Sequence, residues 1–284
     1  MNRYQLVVPE HMHGSKLLPC LSKAYPLAPD MAFRRALKNR DIKVNGQRVA
    51  DNCAVTAGQL VEWYTQWAPA EIPILYMDNR LLVIDKPNGI SSDEQAGEQM
   101  TLTGLLASQL KLDMPPRMVH RLDHQTSGLM FLALTEEAET ALVQAFRQGQ
   151  VDKRYTCLAK GEMPRQGDTL RAWLRKDARV ARVQVSDAPA PEARVIVTEY
   201  RVLSYQSDCS RLEICLHTGR THQIRAHLAH IGHPILGDDK YGDRAFNRFM
   251  GAGRLMLAST GLTLRVEGLL ADLDGRSFSI EAPF

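Results

Sequence analysis

After residue 73 the sequence carries a series of apolar segments with β-strand character, and regular helices do not separate them. We predict strands at 81–85, 129–134, 155–159, 195–203 and 211–216. A doubly wound parallel sheet needs a helical crossover between successive strands, and the spacing here does not provide one each time. The pattern therefore predicts an α+β fold with a mixed, largely antiparallel sheet.

One helix is predicted within this region, at 136–147. Its apolar residues recur with helical spacing, and Thr135 lies at the N-cap position. Acidic residues fill the first turn, where the helix dipole favours negative charge. The segment is therefore predicted to be an amphipathic helix.

Two prolines mark the strongest domain boundary. Pro69 and Pro73 remove backbone donors and interrupt regular structure within the run QWAPAEIP. We therefore predict a small domain at 1–66, a linker at 67–73 and a larger domain at 74–284.

The small domain is predicted to contain two helices and a hairpin. An apolar helix around Leu17 and Leu21 precedes a basic helix at 31–39. The buried face of the basic helix is expected to carry Met31, Ala32, Ala36 and Leu37. Its exposed face is expected to carry Arg34, Arg35 and Lys38. Residues 42–49 alternate around an Asn-Gly pair, which is a strong hairpin signal, and a further strand is predicted at 59–63.

Positive charge is concentrated in this first domain. The full chain holds 35 basic and 32 acidic residues, a net charge of +3, whereas residues 1–66 hold nine basic and five acidic ones, and nine minus five is +4. A clustered basic excess is the electrostatic footprint of a protein that binds a polyanion. A solvated helix face beside a hairpin would carry the same charge, so charge alone leaves both interpretations open.

Composition also disfavours several classes of protein. The five cysteines are scattered and form no C-x-x-C pair, which argues against a disulfide framework and a cysteine-rich zinc site. No run approaches the ~18 apolar residues that a membrane-spanning helix needs. The first 17 residues lack the apolar core of a secretory signal. We therefore expect a cytoplasmic protein that does not contact a membrane.

Two polar segments follow apolar or turn-forming residues in the larger domain. DKPNG at 85–89 is a turn at a strand end, where Lys86 would face a phosphate or solvent. VHRLDHQTSGL at 119–129 is too densely polar for core packing, since each buried polar group would need a partner. On residue types alone, Asp123 would bond local backbone amides and pair with Arg121.

A third polar segment, TGRTHQIRAHL at 218–228, continues to GHPILGDD at 232–239. If it is helical from Thr221, Arg225 lies one turn from His222. The histidines of this region raise the possibility of a metal site: His222, His227, His230 and His233. No His-Glu-x-x-His arrangement and no cysteine pair supports zinc, so we predict no metal site.

Together these segments resemble the RluA-type pseudouridine synthases, over residues 78–283. HRLDHQTSGL is similar to the signature that holds the catalytic aspartate of that family. The chain also repeats the D-K-P-x-G turn, a Lys-Arg-Tyr segment at 153–155, and TGRTHQIRAHL followed by GHPILGDDKYG. Two departures are present: His124-Gln125 replaces a basic-acidic pair, and Leu257-Ala258-Ser259 replaces Leu-His-Ala.

Residues 14–65 resemble the S4 RNA-binding domain, a usual companion of that family. The similarity lies in the order of an apolar helix, a basic helix, a K-V-N-G-x-x-V hairpin and a strand led by Gly58. The family's opening Arg-Leu-Asp is absent, and Gln59 replaces an aspartate after the glycine.

The resemblance implies roles for individual residues. Asp123 would be the catalytic carboxylate, Arg225 the arginine that pairs with it, and Tyr155 the active-site tyrosine under the base. Isomerising uridine needs a nucleophile or base and no redox change, so no metal or organic cofactor is expected. The uridine must be flipped from its stack, and Arg121 matches the position that fills the vacated space. The predicted RNA-binding residues are Arg121, His120, Arg220, His222, Lys86, Arg34, Arg35 and Lys38.

The implied function is site-specific isomerisation of uridine to pseudouridine in structured RNA, with large-subunit ribosomal RNA preferred and transfer RNA as the other choice. No obligatory protein partner is expected. Two other functions stay open: a non-catalytic S4-type RNA-binding protein, and a metal-dependent hydrolase built on the histidines. The presence of Asp123, Tyr155 and Arg225 disfavours the first, and activity that survives a chelator would exclude the second.

Overall fold

The protein was analysed as a computed structural model that describes residues 1–92, 100–177 and 182–284. The chain divides into two compact units, one formed by Met1–Ile72 with Gly89–Pro115 and the other by Pro73–Asn88 with Pro116–Phe284. The described residues of 89–115, which were predicted to belong to the larger domain, thus pack with the N-terminal unit. The functional limits of the two domains stay a prediction.

The described part of the first unit is a four-stranded antiparallel sheet with three α-helices and one 3-10 turn. Its strands are β1 (Asn2–Val7), β2 (Ile42–Val44), β3 (Gln47–Val49) and β4 (Leu60–Thr65). Its helices are α1 (Leu17–Ala24), α2 (Asp30–Lys38), α3 (Leu102–Leu110) and a 3-10 turn (Glu10–Met12). The strand order is β1-β4-β2-β3. Both predicted helices and the predicted hairpin are present, and the sequence analysis missed β1 and α3.

The hairpin follows from its turn residues. Asn45 and Gly46 have φ angles of 49° and 79°, the two positive values that a tight two-residue hairpin turn requires. The Asn45 side chain also accepts a hydrogen bond from the Leu60 amide at 2.9 Å, which joins the turn to β4.

Burial on α2 differs from the prediction at its first positions. Phe33, Ala36 and Leu37 are buried, and Phe33 packs on Trp63 with ring centroids 4.6 Å apart. Met31, expected on the buried face, is 71% exposed. The buried face of α2 is therefore centred on Phe33 and not on Met31. Burying Phe33 against the fully buried Trp63 removes more apolar area from water than burying Met31 would.

The second unit is built on one large mixed sheet. Its strands are β5 (Ile74–Met77), β6 (Leu81–Lys86), β7 (Arg117–Met118), β8 (Ser127–Ala133), β9 (Val151–Lys160), β10 (Gly167–Asp177), β11 (Arg182–Ser186), β12 (Arg194–Gln206), β13 (Cys209–Leu216), β14 (Leu257–Leu264) and β15 (Ser277–Ser279). Its helices are α4 (Glu136–Arg147), α5 (Gln223–His230), α6 (Arg244–Phe249) and a 3-10 segment (Gly268–Leu273).

Strand order in this sheet is β11-β10-β12-β13-β9-β14-β8-β6-β5, with β15 on β14 and β7 on β8. Among the described strands, all neighbours are antiparallel except β14 and β8, which pair in parallel. The predicted α+β class with a mixed, largely antiparallel sheet is confirmed.

All five predicted strands are present as β6, β8, β9, β12 and β13. Strand β10 was not predicted, because this long strand is half exposed and charged residues interrupt its apolar positions. The helix predicted at 136–147 is present with the predicted limits, and Thr135 accepts a hydrogen bond from the Ala138 amide as its N-cap.

The core of the second unit lies where α4 covers the central strands. Every residue of β8 is buried, and Phe131 from this strand joins Leu142 of α4 and Leu262 of β14 in one apolar cluster. Within the described ranges, no helix is long and apolar enough to cross a membrane.

Candidate active site

Asp123 lies in the loop between β7 and β8. The Thr126 amide donates to the Asp123 carbonyl oxygen at 2.9 Å and closes a turn. Beyond the turn, Gly128 has a φ of 111°, and a Cβ at this position would lie 2.2 Å from the carbonyl oxygen of Ser259. Glycine is therefore needed for the close approach of β8 to β14 immediately after the Asp123 loop.

Arg225 lies in the first turn of α5 with 4% of its side chain exposed. Its Nε and Nη2 atoms donate to the two carboxylate oxygens of Asp238 at 2.7 and 2.8 Å. Its remaining nitrogen, Nη1, donates to Oδ2 of Asp123 at 3.2 Å. The predicted contact between Arg225 and Asp123 is thus present. The carboxylate of Asp238 binds the other edge of the same guanidinium.

The Arg225–Asp238 pair stays charged although it is buried. Burial acts to lower the pKa of Arg225, but the hydrogen bonds and charge of Asp238, together with Asp123, raise it above its ordinary value. Burial acts to raise the pKa of Asp238, but Arg225 and the backbone amides of Tyr241 and Lys240 hold it below its ordinary value. Asp123 therefore faces a fixed cation at neutral pH.

Asp238 was not predicted as a site residue. It is fully buried, and its Oδ1 also accepts the backbone amides of Lys240 and Tyr241 at 2.8 and 2.9 Å. The sequence did contain a signal, since Asp238 belongs to the GDD run quoted in the third polar segment. Sequence alone does not say which of the two aspartates in that run points inward.

His222 lies at the start of α5 with a left-handed backbone, φ 54° and ψ 18°. One ring nitrogen lies 2.9 Å from the Tyr241 hydroxyl, and the other lies 3.8 Å from Oδ2 of Asp123. Burial lowers the pKa of His222, while the charge of Asp123 acts in the opposite direction. A non-glycine residue held in this region of the backbone map is often found at functional sites, where surrounding contacts maintain the strain.

Gln223 fastens the loop before α5 to the sheet. It is 2% exposed, its Oε1 accepts from the Arg220 amide and the Thr218 hydroxyl, and its Nε2 donates to the Val197 carbonyl oxygen and the Thr198 hydroxyl. Both ends of the side-chain amide are thus satisfied. Because this anchor lies beside the residues that reach Asp123, it limits their movement, and it is a second residue that the sequence analysis missed.

Tyr155 lies on β9 and is buried, with 8% exposed. Burial and then the nearby charge of Asp123 raise the pKa of its phenol above the ordinary value. Tyr155 is therefore a neutral phenol at neutral pH, and it lines the same cleft as Asp123.

Asp123, Tyr155 and Arg225 line one cleft of about 690 Å³ in the second unit. The charged side chains along its wall are Arg121, Asp123, Arg147, Lys153, Arg220 and Arg225. Five of these six are basic, so the described wall of the cleft carries an excess of positive charge around Asp123. Arg147 and Lys153 were not predicted as site residues, although Lys153 is the first residue of the quoted Lys-Arg-Tyr segment.

The surroundings of two predicted RNA contacts limit the charge and exposure that each one has. Lys86 is fully buried, its Nζ donates to the Pro87 carbonyl oxygen at 3.0 Å, and burial lowers its pKa to about 7. It therefore does not face a phosphate or solvent at the surface. His120 accepts the Phe131 amide on Nε2 at 3.0 Å, and burial followed by the charge of Lys153 lowers its pKa to about 3. His120 therefore lines the cleft as a neutral side chain and does not offer a positive charge to a phosphate.

Five of the six remaining predicted RNA contacts are exposed, and the sixth, His222, is largely buried, with 13% of its side chain exposed. Arg121 and Arg220 are exposed and line the cleft. Arg34, Arg35 and Lys38 are exposed along α2 of the first unit.

The four histidines of the third segment each contact a different protein group. His227 lies 3.0 Å from the Thr198 hydroxyl, His230 lies 2.8 Å from Asp187, and His233 lies 2.9 Å from the Lys160 carbonyl oxygen. Among the described residues, no three or more histidine, cysteine, aspartate or glutamate side chains are grouped so that they could hold a metal ion. The geometry gives no support to the hydrolase alternative.

Comparison with known proteins identifies the family. Residues 80–230 match the family model described as RNA pseudouridylate synthase. The chain belongs to this family. It is 34% identical over 250 residues to ribosomal large subunit pseudouridine synthase D of Yersinia pestis, with 84% of this chain and 76% of the relative covered. The protein of the same name from Escherichia coli (strain K12) is 31% identical over the same length and coverage.

Solved structures agree with this assignment. Human RNA pseudouridylate synthase domain containing 1 aligns with a TM-score of 0.65 at 25% identity, over 77% of this chain and 87% of that chain. The predicted RluA-type resemblance is confirmed, as is the prediction of an RNA pseudouridine synthase enzyme. The alternative of a non-catalytic RNA-binding protein is not favoured.

The departure from the family pattern at Leu257-Ala258-Ser259 lies directly behind the site. Ala258 and Ser259 on β14 pair with Ser127 and Gly128 on β8, and both residues of β14 are fully buried. Ala258, where the resemblance led us to expect a histidine, therefore packs within the sheet next to the Asp123 loop.

Proposed function

We propose that this chain converts specific uridines to pseudouridine in large-subunit ribosomal RNA, and that it works in the cytoplasm. The choice of RNA is supported by its relatives, which carry the name ribosomal large subunit pseudouridine synthase D. The observation that supports the chemistry best is the contact of Asp123 with Arg225 inside a basic cleft.

Asp123 serves as the catalytic carboxylate. The reaction breaks the N1–C1′ bond of uridine, turns the uracil and joins C5 to C1′, so a carboxylate is needed as nucleophile or base and no electron acceptor enters. Three routes fit this role: attack at C6, attack at C1′ and removal of a 2′ proton. In each route the Arg225 guanidinium, which donates to Asp123 Oδ2 at 3.2 Å, holds the carboxylate in position and balances its charge when the bound base excludes water.

Tyr155 and Arg121 are proposed to assist the reaction, the first as a buried residue of the cleft and the second as an exposed one. Tyr155 is buried in the cleft and neutral, so it supports the uracil as an apolar surface, and its hydroxyl relays the proton that leaves C5 by accepting it while its own proton passes to solvent as the product leaves. Arg121 is exposed two residues before Asp123 and suits the space left in the RNA when the uridine is flipped out.

The first unit is proposed to act as an S4-type RNA-binding domain. Arg34, Arg35 and Lys38 present three charges along α2, and among the described residues none of the three side chains makes an ion pair. Free cations on one helix surface suit contacts with phosphates, which add affinity without reading sequence. Arg220 and His222 are proposed to contact RNA at the mouth of the cleft.

The test is the Asp123→Asn variant, which preserves the shape of the side chain and removes its charge. Pseudouridines are mapped in large-subunit ribosomal RNA from cells that lack this protein, and from the same cells supplied with wild-type or variant protein. We expect specific positions to be lost, restored by the wild type and not restored by Asp123→Asn.

A matched control separates chemistry from folding. Asp272→Asn changes an aspartate on the surface of the same unit, which pairs with Arg80, and should restore the modification fully. Restoration by Asp123→Asn would refute the catalytic assignment. Unchanged ribosomal RNA with lost pseudouridine in transfer RNA would refute the choice of substrate.

A further inference from the structure

Helix α6 exposes an aromatic side chain beside two arginines that make no ion pair within the described part of the chain. Phe249 at its C-terminal end is 79% exposed, although a phenylalanine gains more than most residues from burial. Arg244 and Arg248 are exposed on the same helix and are four residues apart, so they lie on one face. We call Arg244, Arg248 and Phe249 the α6 patch.

The two arginines of the patch have no carboxylate partner among the described residues. The nearest acid in sequence, Asp243, is already engaged, since Lys160 donates to it at 2.6 Å and the Ala245 and Phe246 amides donate to its other oxygen. The patch therefore combines an open aromatic face with uncompensated positive charge.

The patch is rigidly joined to the active site. On the inner side of α6, Asn247 accepts from the Gly237 amide at 2.9 Å and donates to the Asp238 carbonyl oxygen at 3.1 Å. The side chain of Asp238 holds Arg225, which contacts Asp123. Asp238 and Arg225 therefore link Asn247 to Asp123.

We infer that the α6 patch binds an unpaired nucleotide of the substrate RNA, whose base stacks on Phe249 while Arg244 and Arg248 contact the adjacent phosphates. Every base has a flat face that stacks on an exposed aromatic ring, and arginines beside the ring suit the charged backbone. This inference rests on the proposed function in that it takes RNA as the substrate. It adds a contact outside the cleft that holds the flipped uridine.

The test compares aromatic and non-aromatic replacements in the full-length protein. KM and kcat are measured by tritium release from C5-labelled, in vitro transcribed large-subunit ribosomal RNA. Phe249→Ala should raise KM by roughly five- to a hundred-fold, the range expected for one lost base stack, with a much smaller change in kcat. Phe249→Trp should keep KM near the wild-type value. Arg244→Gln with Arg248→Gln should flatten the salt dependence of binding by roughly 0.7 per lost contact.

Controls on the same unit remove exposed side chains of the same kinds. Leu203→Ala removes another exposed apolar side chain, and Arg165→Gln removes an arginine that Asp168 already pairs. Both should leave KM unchanged. A KM for Phe249→Ala within twofold of the wild type overturns the inference, and so does equal damage by Ala and Trp. A change in sedimentation with unchanged KM also overturns it, because the patch would then be a protein contact.

A second probe separates failure of the inference from failure of the proposed function. If the wild-type protein does not modify ribosomal RNA, that proposal fails, and the same variants are tested for binding of a fluorescent single-stranded oligouridine. Weaker binding by Phe249→Ala but not Phe249→Trp would still support the patch. Equal binding by all variants would overturn it.

Discussion

Replacing Asp238 by asparagine should show how much the site depends on the carboxylate behind Arg225. The substitution keeps the side-chain shape and the acceptor for the Lys240 and Tyr241 amides. However, it removes the charge and turns an amide donor toward a guanidinium that is itself only a donor. Breaking a buried ion pair by removal of one partner costs about 3–5 kcal/mol. At about 2–4 °C per kcal/mol, this predicts a Tm lower by roughly 6–20 °C.

The same variant should lose activity at temperatures where it is still folded. Arg225 would keep Asp123 and the exposed Asp239 as its carboxylate partners and would turn toward them, which moves Asp123 from its position. Loss of one aligned charged hydrogen bond, about 1.5–3 kcal/mol, corresponds to a rate reduced by roughly ten- to a hundred-fold. Single-turnover tritium release at 25 °C measures this rate, and calorimetry measures the Tm.

The effect on stability should also depend on pH. The pKa of Asp238 in the fold lies below its ordinary value, so its stabilising contribution is fully present above the unfolded pKa of about 3.9 and is lost as pH falls through the folded pKa. The Tm difference between wild type and Asp238→Asn should therefore be largest near neutral pH and shrink below about pH 4. An unchanged Tm at pH 7, with Asp272→Asn as the exposed control, would refute the reasoning.

Three further outcomes are expected. Arg225→Lys should cut turnover severely while RNA binding survives, because one ammonium cannot form the fork with Asp238 and also reach Asp123; near-normal rates by tritium release would remove Arg225 from the site. Tyr155→Phe should slow turnover, and since the pKa of Tyr155 lies above 10, the wild-type pH–rate profile should show no phenol titration between pH 7 and 10. Neutralising Arg34, Arg35 and Lys38 together should flatten the salt dependence of RNA binding by roughly 0.9 per lost contact on duplex; an unchanged slope would mark α2 as a solvated face.

Local sequence patterns determined the secondary structure wherever the local signal was strong. Asn45-Gly46 predicts the hairpin because few other residue pairs adopt two consecutive positive φ angles easily. Thr135 and the acidic residues after it predict α4 because a helix start must satisfy free amides and favours negative charge. The family signature likewise led to Asp123, Tyr155 and Arg225, which the structure places around one cleft.

Only the tertiary structure decided the environment of each side chain. Lys86 and His120 are basic residues within quoted motifs, yet one is fully buried and the other accepts a backbone amide, so neither can serve as a surface cation. Asp238 and Gln223 were not distinguishable from their polar neighbours in sequence, because their roles depend on partners that are distant along the chain or reached only when the loop folds. Sequence patterns specify which residues are available, whereas burial and long-range partners determine the charge and position that each one has.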